Sequence, residues 1–141
     1  MILVDTNVWS ELTKARGDRA VLAWLEANDA DLALSTLVIA EIRYGIELAG
    51  AADKRSFLQP WLAGLESRYW GQTLVFGPQA AHQYGRIAAR PEVKARKPQI
   101  IDMQIAAQAQ EHGIPIATRN AKDFEWIGVK LIDPWAAPLP A

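Results

Sequence analysis

Apolar runs of only four or five residues, each followed by a longer stretch of helical periodicity, constrain this chain more than any other feature. The runs are Ile2–Asp5, Leu32–Ser35, Thr73–Phe76, Ile114–Thr118 and Val129–Ile132. Between them the spacing predicts helices over Asn7–Ala15, Arg19–Asn28, Thr36–Ala49, Asp53–Trp70, Gln79–Ala89 and Gln99–His112. Short strands that are apolar throughout are buried on both faces, and strand–helix–strand alternation calls for parallel pairing through crossover helices. The expected fold is α/β, a central parallel sheet of about five short strands with helices on both faces. Gly113 stands where a helix C-terminal glycine belongs, and Pro115 opens the next strand at a position a sheet edge tolerates. No internal repeat or low-complexity segment breaks the pattern, so residues 1–141 read as one domain. Residues 134–141, ending in Ala-Pro-Leu-Pro-Ala, read as a loose tail.

Open α/β sheets bind ligands outside the carboxyl ends of their strands. Asp5 lies at the end of the first predicted strand, and Thr118, Arg119 and Asn120 at the end of the fourth, so all four can rim one cleft. The chain has no cysteine, which excludes disulfides, zinc thiolate sites and a cysteine nucleophile. His82 and His112 stand far apart, so a histidine metal site or triad is disfavoured. A metal would be held by oxygen, which suits Mg²⁺ or Mn²⁺. The net charge of −1 and pI near 6.1 argue against a globally basic nucleic-acid binder. Any contact with RNA or DNA must come from local positive charge. No apolar stretch approaches the roughly 20 residues that span a bilayer, and no signal peptide is evident, so the expected compartment is the cytoplasm.

Three further acids are unusual in their placement. In Ser-Thr-Leu-Val-Ile-Ala-Glu-Ile-Arg-Tyr-Gly-Ile-Glu-Leu-Ala, Leu37, Glu41, Tyr44 and Leu48 form one helical stripe, which puts Glu41 on the face expected to be buried. A boundary glutamate with its head in water is the plainer alternative. Asp102 shares a stripe with Ile105, Ala106 and Ala109. It also sits in the first turn of its helix, where free N–H groups favour negative charge, so a helix-start aspartate explains its identity but not its facing. Asp123 follows the fourth strand in a polar bend and could be an ordinary loop acid. Taken together, carboxylates from four separate elements would repel one another and resist desolvation unless protonated or bridged by a cation.

The ordered segments Leu-Val-Asp-Thr-Asn, Ile-Ala-Glu-Ile-Arg-Tyr-Gly, Ile-Ile-Asp-Met-Gln-Ile-Ala-Ala-Gln-Ala and Ile-Ala-Thr-Arg-Asn-Ala-Lys-Asp-Phe resemble the PIN-domain ribonucleases. Within them the chain is similar to the VapC toxins of toxin–antitoxin pairs, in the FitB-like branch. The resemblance covers nearly the whole chain and implies a PIN-like three-layer sandwich and a Mg²⁺- or Mn²⁺-dependent RNA endonuclease. It assigns the catalytic site to Asp5, Glu41, Asp102 and Asp123. Asp5 and Asp102 bind metal directly, Glu41 and Asp123 act through water, and Thr6, Asn7, Thr118 and Asn120 give support. It also implies a small cognate antitoxin that covers the site, and a homodimer.

On this reading a water attacks the scissile phosphate in line, oriented by Glu41 or Asp123, leaving 5′-phosphate and 3′-hydroxyl ends. The route through the 2′-hydroxyl lacks a well-placed histidine or lysine. The basic stretch Arg-Ile-Ala-Ala-Arg-Pro-Glu-Val-Lys-Ala-Arg-Lys-Pro is either a solvated loop or a phosphate-binding rim. The rim would be built from Lys94, Arg96 and Lys97, joined by Arg43 and Arg119. Of six tryptophans, most are expected in the core or half-buried. Trp9 and Leu12, with the segment Phe-Leu-Gln-Pro-Trp-Leu-Ala-Gly-Leu-Glu-Ser-Arg-Tyr-Trp, could instead line an apolar groove for a partner helix.

Other activities fit less well. A haloacid-dehalogenase-like phosphatase wants a second Asp two positions after the first, where this chain has Asn7. A receiver module needs an acidic pair near its first strand and a lysine after a later one. A catalytically idle PIN domain, serving as an RNA- or antitoxin-binding scaffold, is the remaining alternative, and the intact acids argue against it.

Overall fold

In a computed structural model, which describes residues 1–137, the predicted runs become five parallel strands. These are β1 (Ile2–Val4), β2 (Leu32–Ser35), β3 (Thr73–Leu74), β4 (Ile116–Ala117) and β5 (Leu131–Ile132). The helices are α1 (Thr6–Trp9), α2 (Arg19–Ala27), α3 (Thr36–Leu48), α4 (Ala52–Arg68), α5 (Pro78–Ala88), α6 (Glu92–Arg96) and α7 (Ile100–His112). Several ends follow directly from local chemistry. The Ser35 hydroxyl accepts from the Leu37 N–H and starts α3, and Asp18 accepts from Ala20 and Val21 to start α2. Gly113, at φ 62°, stops α7 in the left-handed conformation that suits glycine.

The spatial order is β3-β2-β1-β4-β5. The chain builds outward from β1 through β2 to β3, then crosses back to lay β4 on the other side of β1. Right-handed crossovers therefore put α1 to α4 on one face and α5 to α7 on the other. The order reverses between β1 and β4, and there the diverging connections leave a crevice at the strand ends. Register fixes what enters it. Val4 pairs with Ala117, the Asp5 N–H donates to the Ala117 carbonyl at 2.9 Å, and Asp5 and Thr118 emerge side by side.

Leu3, Val4, Leu32, Ala33, Leu34, Ile116 and Ala117 are fully buried, the double-sided burial their apolar runs imply. A polar clamp also lies inside. Gln108, fully buried on α7, accepts from the Ser35 hydroxyl and donates to the Leu74 carbonyl at 3.3 Å, tying α7 to the ends of β2 and β3.

The structure departs from expectation in several places. The helix expected over Asn7–Ala15 is α1 followed by a 3₁₀ turn over Ser10–Thr13, and the strand expected over Thr73–Phe76 ends at Leu74. The buried stripe of α3 is Val38, Ile42 and Ile46, while Tyr44 and Leu48 are two-thirds exposed, so Glu41 flanks the inward face instead of lying within it. The basic stretch expected as a loop contains a short helix, α6, ended by Lys97 at φ 47°. Pro115 precedes an interior strand, and its carbonyl accepts from Leu3 at 2.9 Å, so the proline sits just outside the ladder and not at a sheet edge. The tail expected from residue 134 is packed at its start. Asp133 caps a 3₁₀ turn over Pro134–Ala136, Pro134 is buried and Trp135 packs on the core. Residues 138–141 lie outside the described residues.

Candidate active site at the β1–β4 crevice

Asp5 ends β1 and caps α1, accepting from the Thr6 N–H at 2.8 Å through Oδ1. Its Oδ2 accepts from the Thr118 hydroxyl at 2.8 Å and the Asn7 amide at 3.2 Å. The same network continues outward. Asn7 accepts from the Arg119 N–H at 3.1 Å, and the Thr118 hydroxyl oxygen accepts from the Asn120 N–H at 3.0 Å. Three supporting residues, Thr6, Asn7 and Thr118, therefore bond the carboxylate of Asp5, a residue only 6% exposed, and Asn120 reaches it through Thr118. Burial pushes its pKa up, the three hydrogen bonds pull it back, and the charge of Asp123 raises it again.

The other three acids arrive from different elements. Glu41, on α3, accepts from the Thr6 hydroxyl at 2.8 Å. Its pKa is raised by burial and by Asp5, and lowered by that bond. Asp102, in the first turn of α7, is pushed up to about 7. Everything identified as acting on it raises the value: burial first, then the charges of Asp5, Asp123 and Glu41. Asp123 stands exposed in the turn after β4. Thus the charges of Asp5, Asp123 and Glu41 all act on Asp102. Among the described residues, none of them is in an ion pair.

The donor set tests whether a metal fits. Among the described residues, no three acidic side chains converge closely enough to form a ready-made metal-ligand group. Asp5 already spends both oxygens on hydrogen bonds, and Glu41 spends one on Thr6. Asp102, by contrast, is raised by its surroundings alone, and a divalent cation would reverse that. An all-carboxylate cage does not match this layout. An ion such as Mg²⁺, which keeps several waters and takes one or two carboxylates directly, does.

Beside the acids opens a polar cavity of about 460 Å³. Its lining includes Asp102 and Asp123 together with Arg96, Lys97, Gln99, Lys122 and Trp126. Arg96 and Lys97 were expected at such a rim. Lys94, on the exposed side of α6, does not line the cavity, nor does Arg43, whose guanidinium lies 3.5 Å from Glu47. Arg119 sits near the crevice, its guanidinium 5.0 Å above the Trp135 ring. Gln99, Lys122 and Trp126 were not singled out in the sequence. Their only signal is adjacency to Asp102 and Asp123.

A second cavity, of about 640 Å³, is the apolar groove expected from Trp9, Leu12 and the α4 segment. Trp9, Leu12, Leu22, Leu25, Trp61 and Leu65 line it, and Glu26, Asp29 and Arg68 stand at its edge. Trp9 and Tyr69 meet there with ring centroids 5.1 Å apart. The Trp9 indole N–H is buried without a hydrogen-bond partner.

A family model described as the PIN domain matches residues 2–129. The chain is 39% identical over 137 residues to VapC ribonuclease Y4jK of Sinorhizobium fredii, covering 96% of this chain and 98% of that one. It is 31% identical to toxin FitB of Neisseria gonorrhoeae over 137 residues, 96% of this chain and 99% of that one. The crystal structure of FitAcB from Neisseria gonorrhoeae aligns with a TM-score of 0.86 at 31% identity, over 96% of this chain and 99% of the other. The structure of FitAB bound to an IR36 DNA fragment aligns with a TM-score of 0.88 at 30% identity, over 98% of each chain. The chain belongs to the PIN-domain family, on the branch that includes VapC ribonuclease and toxin FitB.

Proposed function

We propose that this protein is a metal-dependent endoribonuclease acting as the toxin of a toxin–antitoxin pair in the cytoplasm. The observation that carries this is the bonded network of Asp5, Thr6, Glu41 and Thr118 at the sheet's switch point, with Asp102 near enough to feel the charges of Asp5, Asp123 and Glu41. Relatives named as ribonucleases and toxins support it.

A Mg²⁺ or Mn²⁺ ion bound there supplies a Lewis acid for the scissile phosphate and a more acidic water. The remaining work belongs to the chain. Asp5 and Asp102 would hold the ion, and Thr6, Asn7, Thr118 and Asn120 fix Asp5 or its partners in orientation. Glu41 and Asp123 orient water, and the products carry 5′-phosphate and 3′-hydroxyl ends. Arg96 and Lys97 guide the RNA backbone, with Lys94, Arg43 and Arg119 contributing charge further out.

The apolar groove suits a helix of a small antitoxin, whose continuation covers the acids. Crystal structures of FitAcB and related complexes support a partner of that kind. Self-association into a homodimer belongs to the same reading. Incubating the pure chain with mixed RNA in Mn²⁺ or excess EDTA, beside Asp102→Ala, tests the activity. Cleavage that persists in EDTA or in the variant rejects it.

A further inference from the structure

The polar cavity beside Asp102 holds more than the charges needed to track a phosphate backbone. We propose that it is a nucleobase subsite, taking one unpaired nucleotide of the RNA next to the bond to be cut. Trp126 is its stacking platform, Gln99 reads the base edge, and Lys97 and Lys122 meet the flanking phosphates. This rests on the endoribonuclease reading and specifies the substrate of that site.

Trp126 is half-buried, and it lines a predominantly polar cavity instead of sitting wholly in the core. It is also held in place. Its indole N–H donates to the Asp123 carbonyl at 3.1 Å, and the Arg90 guanidinium donates to the carbonyls of Trp126 and Ile127 at 3.4 and 2.9 Å. The residue that carries the ring is therefore coupled to the loop that carries one of the acids. A fixed indole face serves any base, because stacking needs only a π surface.

The segment that ends α6 shows backbone strain. Lys97, at φ 47°, is the one non-glycine with positive φ among the described residues, in a region costly for a residue with a side chain. That conformation ends α6 and brings Arg96, Lys97 and Gln99 to the cavity within a few residues of Asp102. Gln99 adds a side-chain amide with both a donor and an acceptor. The volume of about 460 Å³ falls in the range of roughly 300–1,000 Å³ usual for small-molecule sites. A base paired in a duplex is stacked between its neighbours and has no free face to lay on the indole. The subsite therefore selects loops and single strands, where bases splay out and stack on aromatic side chains.

The test is binding of a short, unstructured, fluorescein-labelled RNA in Ca²⁺, read by anisotropy, with cleavage in Mn²⁺ measured separately. Trp126→Ala is expected to raise Kd by about 5- to 100-fold, and Trp126→Phe to recover most of the loss. In the wild-type protein, one abasic position walked along the RNA should reproduce that loss, and the same position should be silent in Trp126→Ala. Gln99→Ala should change the preference among the four bases at that position. The abasic walk uses only the native chain, so poor folding of a variant does not affect it. No abasic position weakening wild-type binding, or fully additive losses in Trp126→Ala, overturns the subsite. Absence of RNA binding by the wild type overturns it too. RNA that is bound with this abasic signature but left uncut in Mn²⁺ sinks the nuclease reading and leaves the subsite standing.

Discussion

The Thr118 hydroxyl at the end of β4 donates to Asp5 Oδ2 at the end of β1, at 2.8 Å across 113 residues of sequence. It is the strongest of the bonds that lower the Asp5 pKa, and it spans the point where the strand order reverses. Removing it tests whether the crevice is organised around Asp5. In Thr118→Val the carboxylate loses that bond and its pKa rises further. Metal affinity and cleavage should each fall about 10- to 100-fold, the usual effect of losing a group that orients a ligand. The acid limb of the pH–rate profile should move to higher pH. A calorimetric Mn²⁺ titration alongside that profile checks both, and an unchanged profile contradicts the expectation.

Asp102 links the site to stability. Its carboxyl ordinarily loses its proton near 3.8, and in the fold near 7. A raised acid pKa means that the folded state favours the protonated form. Below about pH 4 there is no penalty. Between pH 4 and 7 the metal-free protein loses stability, and above 7 the whole penalty is present. Because the group is half-exposed, solvent screening leaves roughly 1 kcal/mol of it. Asp102→Asn should therefore raise the metal-free Tm at pH 8 by about 2–4 °C, leave it unchanged near pH 4, and abolish cleavage. Mg²⁺ should stabilise the wild type more at pH 8 than at pH 5. Thermal melts at the two pH values, with and without Mg²⁺, give the answer.

The rim makes an electrostatic prediction with a conformational control. Replacing Arg96 and Lys97 together by Gln should weaken RNA binding and flatten the log–log salt dependence by about 1.4, or roughly 0.7 per lost phosphate contact on a single strand. Lys94→Gln, outside the cavity, should do less. Metal affinity should hold in all of them. Lys97→Gly separates charge from backbone: glycine accepts φ 47° without strain, so stability should hold or rise while RNA affinity falls. Salt titrations and chemical denaturation measure the two effects independently.

The groove should be separable from the chemistry. Leu12 lines it and is 41% exposed, so it is available to a partner and costs little to the fold. Leu12→Arg should weaken capture of the cognate antitoxin at least about tenfold and leave RNA cleavage by the free protein intact, because a charge at the centre of an apolar contact is left unpaired. Titration calorimetry with the antitoxin, paired with an RNA cleavage assay, checks both halves. Equal loss of both would show that the substitution acts through the fold.

The amino-acid sequence by itself determined the elements. β2 runs from Leu32 to Ser35 as its apolar run implies, and α7 ends at His112 before Gly113, because burial on both faces and a left-handed stop are written in local residue types. It also named four candidate acids, although the α3 stripe that drew notice to Glu41 is not the buried one. It did not determine which stripe of α3 turns inward. Leu37 and Leu48 are as apolar as Val38, Ile42 and Ile46, and only packing against the sheet chose the second set and left Tyr44 and Leu48 exposed. Nor could Glu92–Arg96 be read as helix, since five residues without an apolar face carry no periodicity. The order β3-β2-β1-β4-β5 belongs to the tertiary structure alone, because pairing β1 with β4 depends on a crossover that spans most of the chain. That pairing sets Thr118 against Asp5, and the fold brings Gln99, Lys122 and Trp126 into one cavity lining with Asp102. Each of those three is an ordinary surface residue until the fold places it there.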